Sequence, residues 1–421
     1  MNGRMSHRVV VTGVGAVTPL GPTVGSFWER LLGGESGVRL ITQMPVDGLR
    51  VRIGAQAAGF EPSRYFSRKE LQRLSRSSQL ALVAADEALR SAELDAARDA
   101  ATLKDTAVIL GSSITSLASS EAFFYKQLET GIPDPLSIPV SMNLAPAANV
   151  ALKYGCNGPL LVVDAACSSS SHAIGYVYNM IRAGVMTRAI TGGAESPFSP
   201  GLLHAWSSMH ALSEDNDTPQ EACRPFSGDR NGMVLAEHAA ILMVESLEAA
   251  TERRAPILAE ISGYGATSDS FHITQPSVNG PAHAMRRALE DAVLPAEGID
   301  YINAHGTGTQ LNDKAETEAI KRVFGPRAYR IPVVSIKGAV GHSLAASGAL
   351  ELVSCVLSIR DSVVPPTINL RRSDPDCDLD YVPRSRRTVP ITHAMSNSFA
   401  FGGSNATLIV SRYRAESSPA A

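Results

Sequence analysis

Cys167 stands where a run of apolar residues stops and a helical pattern begins: Pro159–Ala183 reads PLLVVDAACSSSSHAIGYVYNMIRA. A thiol at such a turn faces unpaired backbone N–H groups and the positive end of a helix dipole, and both favour thiolate over thiol. The same N–H groups suit a developing oxyanion, and a sharp strand-to-helix turn carrying a nucleophile is a general device of acyl transfer. A small residue packed into a tight turn fits this segment equally well. Two histidines lie in related settings downstream. His305 follows a short strand pattern in YINAHGTGT, and His342 lies in VSIKGAVGHSLAASG, before a helical pattern. Strand ends are where α/β proteins usually build their sites. One thiol and two imidazoles also suit zinc. The separations, 305 − 167 = 138 and 342 − 305 = 37, are not those of zinc-binding motifs, and no fourth ligand stands out.

Several elements must position these groups. Arg8–Val17, Thr106–Leu110, Pro159–Asp164, Arg188–Thr191, His238–Glu245, Ile257–Gly263, Tyr301–Ala304, Val333–Ile336, His393–Phe399 and Thr407–Ser411 read as strands. Ser67–Leu94, Ser141–Tyr154, Ser168–Ala183, Gly280–Val293, Lys314–Phe324 and Ala345–Ile359 read as helices. Uninterrupted apolar runs such as RVVVTGVGAV and PLLVVD predict strands covered on both faces. Strands alternating with helices predict an α/β fold. The break at Ala250–Pro256 (ATERRAP) divides the chain into residues 1–255 and 256–415, with a loose tail over 416–421.

Composition narrows the function. The 421 residues carry a net charge of 38 − 41 = −3, with 44% hydrophobic, 19% charged and 5% aromatic residues. Disorder needs more charge and less apolar content, and nucleic-acid binding needs a basic excess. Pro135–Leu152 lacks charge but holds three prolines and two asparagines, which argues against a membrane span. Met1–Val11 has Arg4 and Arg8 but no apolar stretch of signal-peptide length. Five cysteines (156, 167, 223, 355 and 377) with no CxxC spacing point to free thiols and a cytoplasmic setting.

The motifs together resemble the β-ketoacyl-acyl-carrier-protein synthases of the elongating, type II kind, in the thiolase superfamily. The likeness runs from VVVTGVGAVTPLG at Val9–Gly21 through DAACSSS, NAHGTGT, KGAVGH and VPPTINL to NSFAFGGSN at Asn397–Asn405. It implies a five-layer α/β/α/β/α sandwich of two similar halves, the cysteine in the first and both histidines in the second. It implies no cofactor and no metal, since substrates ride on the phosphopantetheine arm of an acyl carrier protein. Cys167 would take the acyl group; His305 and His342 would stabilise the enolate left when malonyl-carrier protein loses carbon dioxide. Lys337 and Glu351 match a buried pair beside the histidines. Phe401 matches an aromatic gate and shares an oxyanion hole with Cys167. Thr307 and Thr309 match pantetheine-binding residues, and Ile114 and Trp206 match acyl-pocket positions. A carrier protein is acidic, so Arg68, Lys69 and Arg73, with Arg76, form a candidate docking face. A solvated helix face explains the same charges.

The resemblance also implies a homodimer, or a heterodimer with a chain-length-factor-like subunit in which this chain is the catalytic half. A coenzyme-A-dependent thiolase is the remaining alternative, and His342 stands against it. Four departures from the family pattern mark the chain: Ala236 and His238 replace glycines in NGMVLAEHAA, which also has Asn231 for an aspartate, and Ala400 replaces the first glycine of GFGG. The SSSSHAI and FHITQPSVNGP runs resemble specialised synthases of the nodulation and polyene kinds.

Overall fold

The computed structural model describes residues 6–415 apart from residue 58; the expected loose tail lies outside the described residues. Ten strands form one sheet: β1 (Val9–Val17), β2 (Ala107–Gly111), β3 (Leu160–Val163), β4 (Arg188–Glu195), β5 (His238–Ser246), β6 (Ala259–Ser268), β7 (Tyr301–Asn303), β8 (Val333–Val334), β9 (His393–Phe399) and β10 (Ser404–Ser411). Their spatial order is β8-β7-β9-β10-β6-β1-β5-β4-β2-β3. The order β1-β5-β4-β2-β3 is therefore repeated, five strands later, as β6-β10-β9-β7-β8. Strand directions repeat as well: two antiparallel pairings and then two parallel ones in each half. A short antiparallel seam joins the halves, Val9–Val11 against Ala259–Ile261.

The longer helices are α1 (Val24–Leu32), α2 (Arg76–Ser91), α3 (Thr115–Thr130), α4 (Ala145–Tyr154), α5 (Ser169–Arg182), α6 (Pro200–Ser208), α7 (Asn279–Asp291), α8 (Gln310–Phe324) and α9 (Ser347–Asp361). The helices α5 and α9 touch strands of both halves and form a central layer. One outer face is covered by α2 and α4, the other by α7 and α8. This is the α/β/α/β/α arrangement. Small residues let the central layer approach closely: a Cβ at Gly111 would lie 2.3 Å from the Ser170 backbone nitrogen. An aromatic-poor core of Ala, Val, Leu and Ile fits the same tight spacing.

Two expectations change. Ser67–Leu94 is not one helix. Glu70 and Ser67 form a capping box on a short turn, Arg68–Leu71, and Ser75 then caps α2 by accepting from the Ser78 N–H. Nor is PLLVVD buried throughout. β3 is the outermost strand of its half, and Leu160 and Leu161 are 36% and 43% exposed. An apolar run looks the same in sequence whether its cover comes from its own chain or from elsewhere. None of the described helices is long and apolar enough to cross a membrane.

Candidate active site

β3 ends at Val163, and the chain turns through Ala165–Ser168 into α5. Ala166 has φ of 48°, a left-handed backbone that Ala adopts at a cost, and this sharp turn carries Cys167. Burial pushes the Cys167 thiol up to about 12; Lys337 and the backbone N–H groups of Phe401 and Cys167 pull the other way. Burial thus opposes the thiolate that the helix dipole alone favours. The desolvation of a nearly inaccessible sulfur outweighs the favourable dipoles.

His305 follows β7 and His342 follows β8, so neighbouring strands of the second half deliver both rings. The rings meet edge to face with centroids 5.2 Å apart. A buried carboxylate fixes the first loop: Glu316, on α8, accepts from the N–H groups of His305 and Gly306, both at 2.8 Å. Asp313, one turn earlier, accepts from Gly308 N–H at 3.2 Å. Gly308 has φ of 78°, which suits glycine there. The second loop is pinned by the departure segment itself. His342 N–H donates to Val234 O at 2.7 Å, and Ala236 N–H donates to His342 O at 2.9 Å. The backbone at Ala236 thus remains a ladder partner, and Gly341 leaves room for its methyl group.

Lys337 and Glu351 form a fully buried ion pair behind His305. The Lys337 ammonium also donates to His305 O at 2.6 Å and lies 3.4 Å from His305 Nδ1. An ammonium beside Nδ1 favours a lone pair there and places the ring proton on Nε2. His342 reaches the same tautomer, because Leu344 N–H donates to its Nδ1 at 3.3 Å. Burial, reinforced by the positive charge of Lys337, holds both imidazoles well below their ordinary value. Both rings are neutral donors, and His342 Nε2 has no protein partner.

A cavity of about 540 Å³ opens onto these groups. Cys167, His305, His342, Thr307, Thr309, Trp206 and Phe401 all line it. The Thr307 and Thr309 hydroxyls lie 2.8 Å apart. Phe401 stacks on Trp206, with centroids 6.0 Å apart. Ile114 packs against the cluster containing Cys167 and Trp206 but not on the cavity wall. Lys337 and Glu351 stand behind the wall. Ala400 takes extended backbone, which alanine adopts freely, and its N–H donates to Ser404 O. Arg68, Lys69 and Arg73 are exposed. Arg76 is not part of that free face: its guanidinium pairs with the buried Glu237 at 2.7 Å. Glu316, Asp313 and Ser347 escaped sequence reading, although two acids three residues apart directly after NAHGTGT were a usable signal.

Family models cover most of the chain: the beta-ketoacyl synthase N-terminal domain matches residues 6–250 and the C-terminal domain residues 258–371. Nodulation protein E of Rhizobium meliloti is 41% identical over 405 residues, 96% of this chain and 99% of that protein. The 3-oxoacyl-[acyl-carrier-protein] synthase 2 of Staphylococcus aureus (strain COL) is 38% identical over 415 residues, 97% and 99% of the two chains. Among solved structures, the ishigamide ketosynthase/chain length factor superposes with a TM-score of 0.90 at 34% identity, covering 97% of this chain and all of that one. With a family model over each half and relatives matched along their whole length, this chain belongs to the beta-ketoacyl synthase family of acyltransferases, enzymes of carrier-protein-dependent condensation in fatty acid or polyketide elongation.

Proposed function

We propose that the condensation runs on Cys167, His305 and His342. The observation that carries this reading is that one thiol and two neutral N–H donors face a single cavity. Cys167 sulfur forms a bond to the carbonyl carbon of a carrier-bound acyl thioester, and the pantetheine thiol leaves with the proton. The N–H groups of Cys167 and Phe401 receive the oxyanion. Malonyl-carrier protein then binds, with Thr307 and Thr309 on its arm. Its carboxylate leaves as carbon dioxide, and the electron pair becomes an enolate whose oxygen accepts from His305 and His342 Nε2–H. The enolate carbon attacks the acyl carbonyl, the bond from that carbon to Cys167 sulfur breaks, and the departing thiolate takes a proton from water as product forms. Lys337 and Glu351 orient His305, Phe401 gates the cavity, Trp206 lines its acyl pocket, and Ile114 packs beside that pocket. No cofactor or metal enters these steps.

Arg68, Lys69 and Arg73 are the proposed docking face for the acidic carrier. The protein acts in the cytoplasm as a dimer. An unpaired edge at β3 and exposed Leu117, Phe124, Tyr125 and Leu128 on α3 support that assembly. A similar subunit of chain-length-factor type would fit the same apolar face, and native mass spectrometry of the chain alone separates the two. A stable homodimer excludes an obligate different partner. The test of the chemistry is intact-mass analysis after acyl-carrier proteins of varied chain length are offered. An acyl group on Cys167 and a 3-ketoacyl product after malonyl-carrier protein is added are expected; acylation elsewhere would refute the assignment.

A further inference from the structure

His238 opens β5, fully buried, at one of the positions where the chain departs from its family's pattern. Its Nε2 lies 2.6 Å from Ser343 Oγ. Ser343 Oγ lies 3.3 Å from Ser347 Oγ, and Ser347 Oγ lies 2.9 Å from His342 Nδ1. Two side-chain hydroxyls thus connect one buried imidazole to another.

The direction of the chain follows from counting protons. Leu344 N–H donates to His342 Nδ1 at 3.3 Å, so that atom is an acceptor, and Ser347 O–H, nearer at 2.9 Å, shares its single lone pair. Ser347 Oγ accepts from Ser343 N–H at 3.1 Å and has one more lone pair, which suits Ser343 O–H. Ser343 Oγ then needs a donor, and His238 Nε2 is the group within reach. His238 Nδ1 has no partner. An orphaned lone pair costs less than an orphaned buried N–H, so the proton belongs on Nε2. Every hydrogen bond in the series then runs toward His342, and the free end is the His342 Nε2–H facing the cavity.

We propose that His238 is a positioning residue for His342: through Ser343 and Ser347 it locks the tautomer that donates from Nε2 into the cavity. The proposal rests on the condensing role of His342 given above. Without the His238 donor, Ser343 and Ser347 are free to reverse, and Ser347 can accept from a His342 protonated on Nδ1. That form presents a lone pair, not a proton, to an enolate oxygen.

The experiment compares wild type with His238→Ala, His238→Gln and Ser343→Ala. Ser343→Ala removes one oxygen atom and guards against a folding defect in His238→Ala. The probes are malonyl-carrier protein for decarboxylation, acyl-carrier protein for loading of Cys167, and side-chain ¹⁵N shifts of His342, assigned by their loss in His342→Asn. Breaking the chain is expected to slow decarboxylation about tenfold, less than the loss from a fully wrong tautomer because Leu344 N–H remains. Loading of Cys167 should stay within about twofold, since that step does not use His342. Gln, which keeps a donor, should restore most of the rate, and the shifts should show Nδ1 protonation in the broken variants alone. Equal losses in both steps, Gln no better than Ala, or unchanged shifts would overturn the proposal. Failure of the wild type itself to decarboxylate malonyl-carrier protein would instead sink the condensing role, with the shifts still reporting on the relay.

Discussion

The turn after β3 and the turn after β8 occupy equivalent places in the two halves. Ala166 and Leu344 have φ of 48° and 56°, and each opens a three-residue helical turn that runs into a central-layer helix. Ala165 N–H donates to Ser169 Oγ at 2.9 Å; Ser343 N–H donates to Ser347 Oγ at 3.1 Å. With the offset 343 − 165 = 178, Cys167 falls on Ala345 and Glu351 on Ala173. One backbone device therefore presents the proposed nucleophile in the first half and, in the second, supports an ion pair and the proposed donor histidine. The loops after the second strand of each half also correspond. Glu195 accepts from Ser113 N–H as Glu316 accepts from His305 and Gly306. The two halves repeat one scaffold, and the cavity that holds Cys167, His305 and His342 is lined by residues of both.

The largest way to break this division is to make the first turn like the second. Cys167→Ala should lower condensation by about 10⁴-fold while the fold persists, as read by product formation and circular dichroism. Adding Ala345→Cys to that variant should not restore acyl-enzyme by intact mass, because Ala345 is fully buried and off the cavity wall. Next is the ion pair that only the second half has. Glu351→Ala leaves Lys337 buried without its counter-ion and should cost about 3–5 kcal/mol in denaturant unfolding. Lys337→Met combined with Glu351→Leu should recover most of that loss, at the expense of His305 orientation and hence of decarboxylation.

The paired carboxylates give a pH test of the comparison. Burial raises both Glu195 and Glu316 from 4.5 to about 7. A carboxyl whose folded value lies above its unfolded one favours the folded state below pH 4.5, and that contribution is lost as pH rises through 7. Glu316→Gln should remove about half of the pair's pH-dependent loss between those limits, measured by unfolding at several pH values, while Glu195 retains the rest. The smallest effect concerns the strained residues. Ala166→Gly should stabilise by about 0.5–1 kcal/mol by relieving the left-handed alanine. Leu344→Gly should destabilise, because a buried leucine is lost with the strain.

Much of this site was legible because glycines and small residues around Cys167, His305 and His342 punctuate sharp strand ends. The α/β order was legible from alternating apolar runs. Other features depend on distant partners. Helical periodicity continues through Gln72–Ser75, and only the capping serine marks the break. The exposed α3, with apolar residues outward, lacks the one-sided stripe that predicts a packed helix. His238 could be noticed as a substitution, but its link to His342 depends on two serines 105 residues or more away in sequence. Arg76 looked like its basic neighbours because the charge it meets, Glu237, is remote in sequence.

The depth of Cys167 has a consequence for oxidation and covalent inhibition. Peroxide attacks thiolates, so a protonated, desolvated sulfur climbs slowly to sulfenic acid. Cys156, Cys223 and Cys377 are also buried and pushed up, to about 11, about 12 and about 11, so none of them offers a ready thiolate beside Cys167. Small alkylating agents find little thiolate to trap. Selective inactivators need an electrophile on an acyl-like tail that first fills the cavity, so that recognition, rather than thiol reactivity, sets the rate.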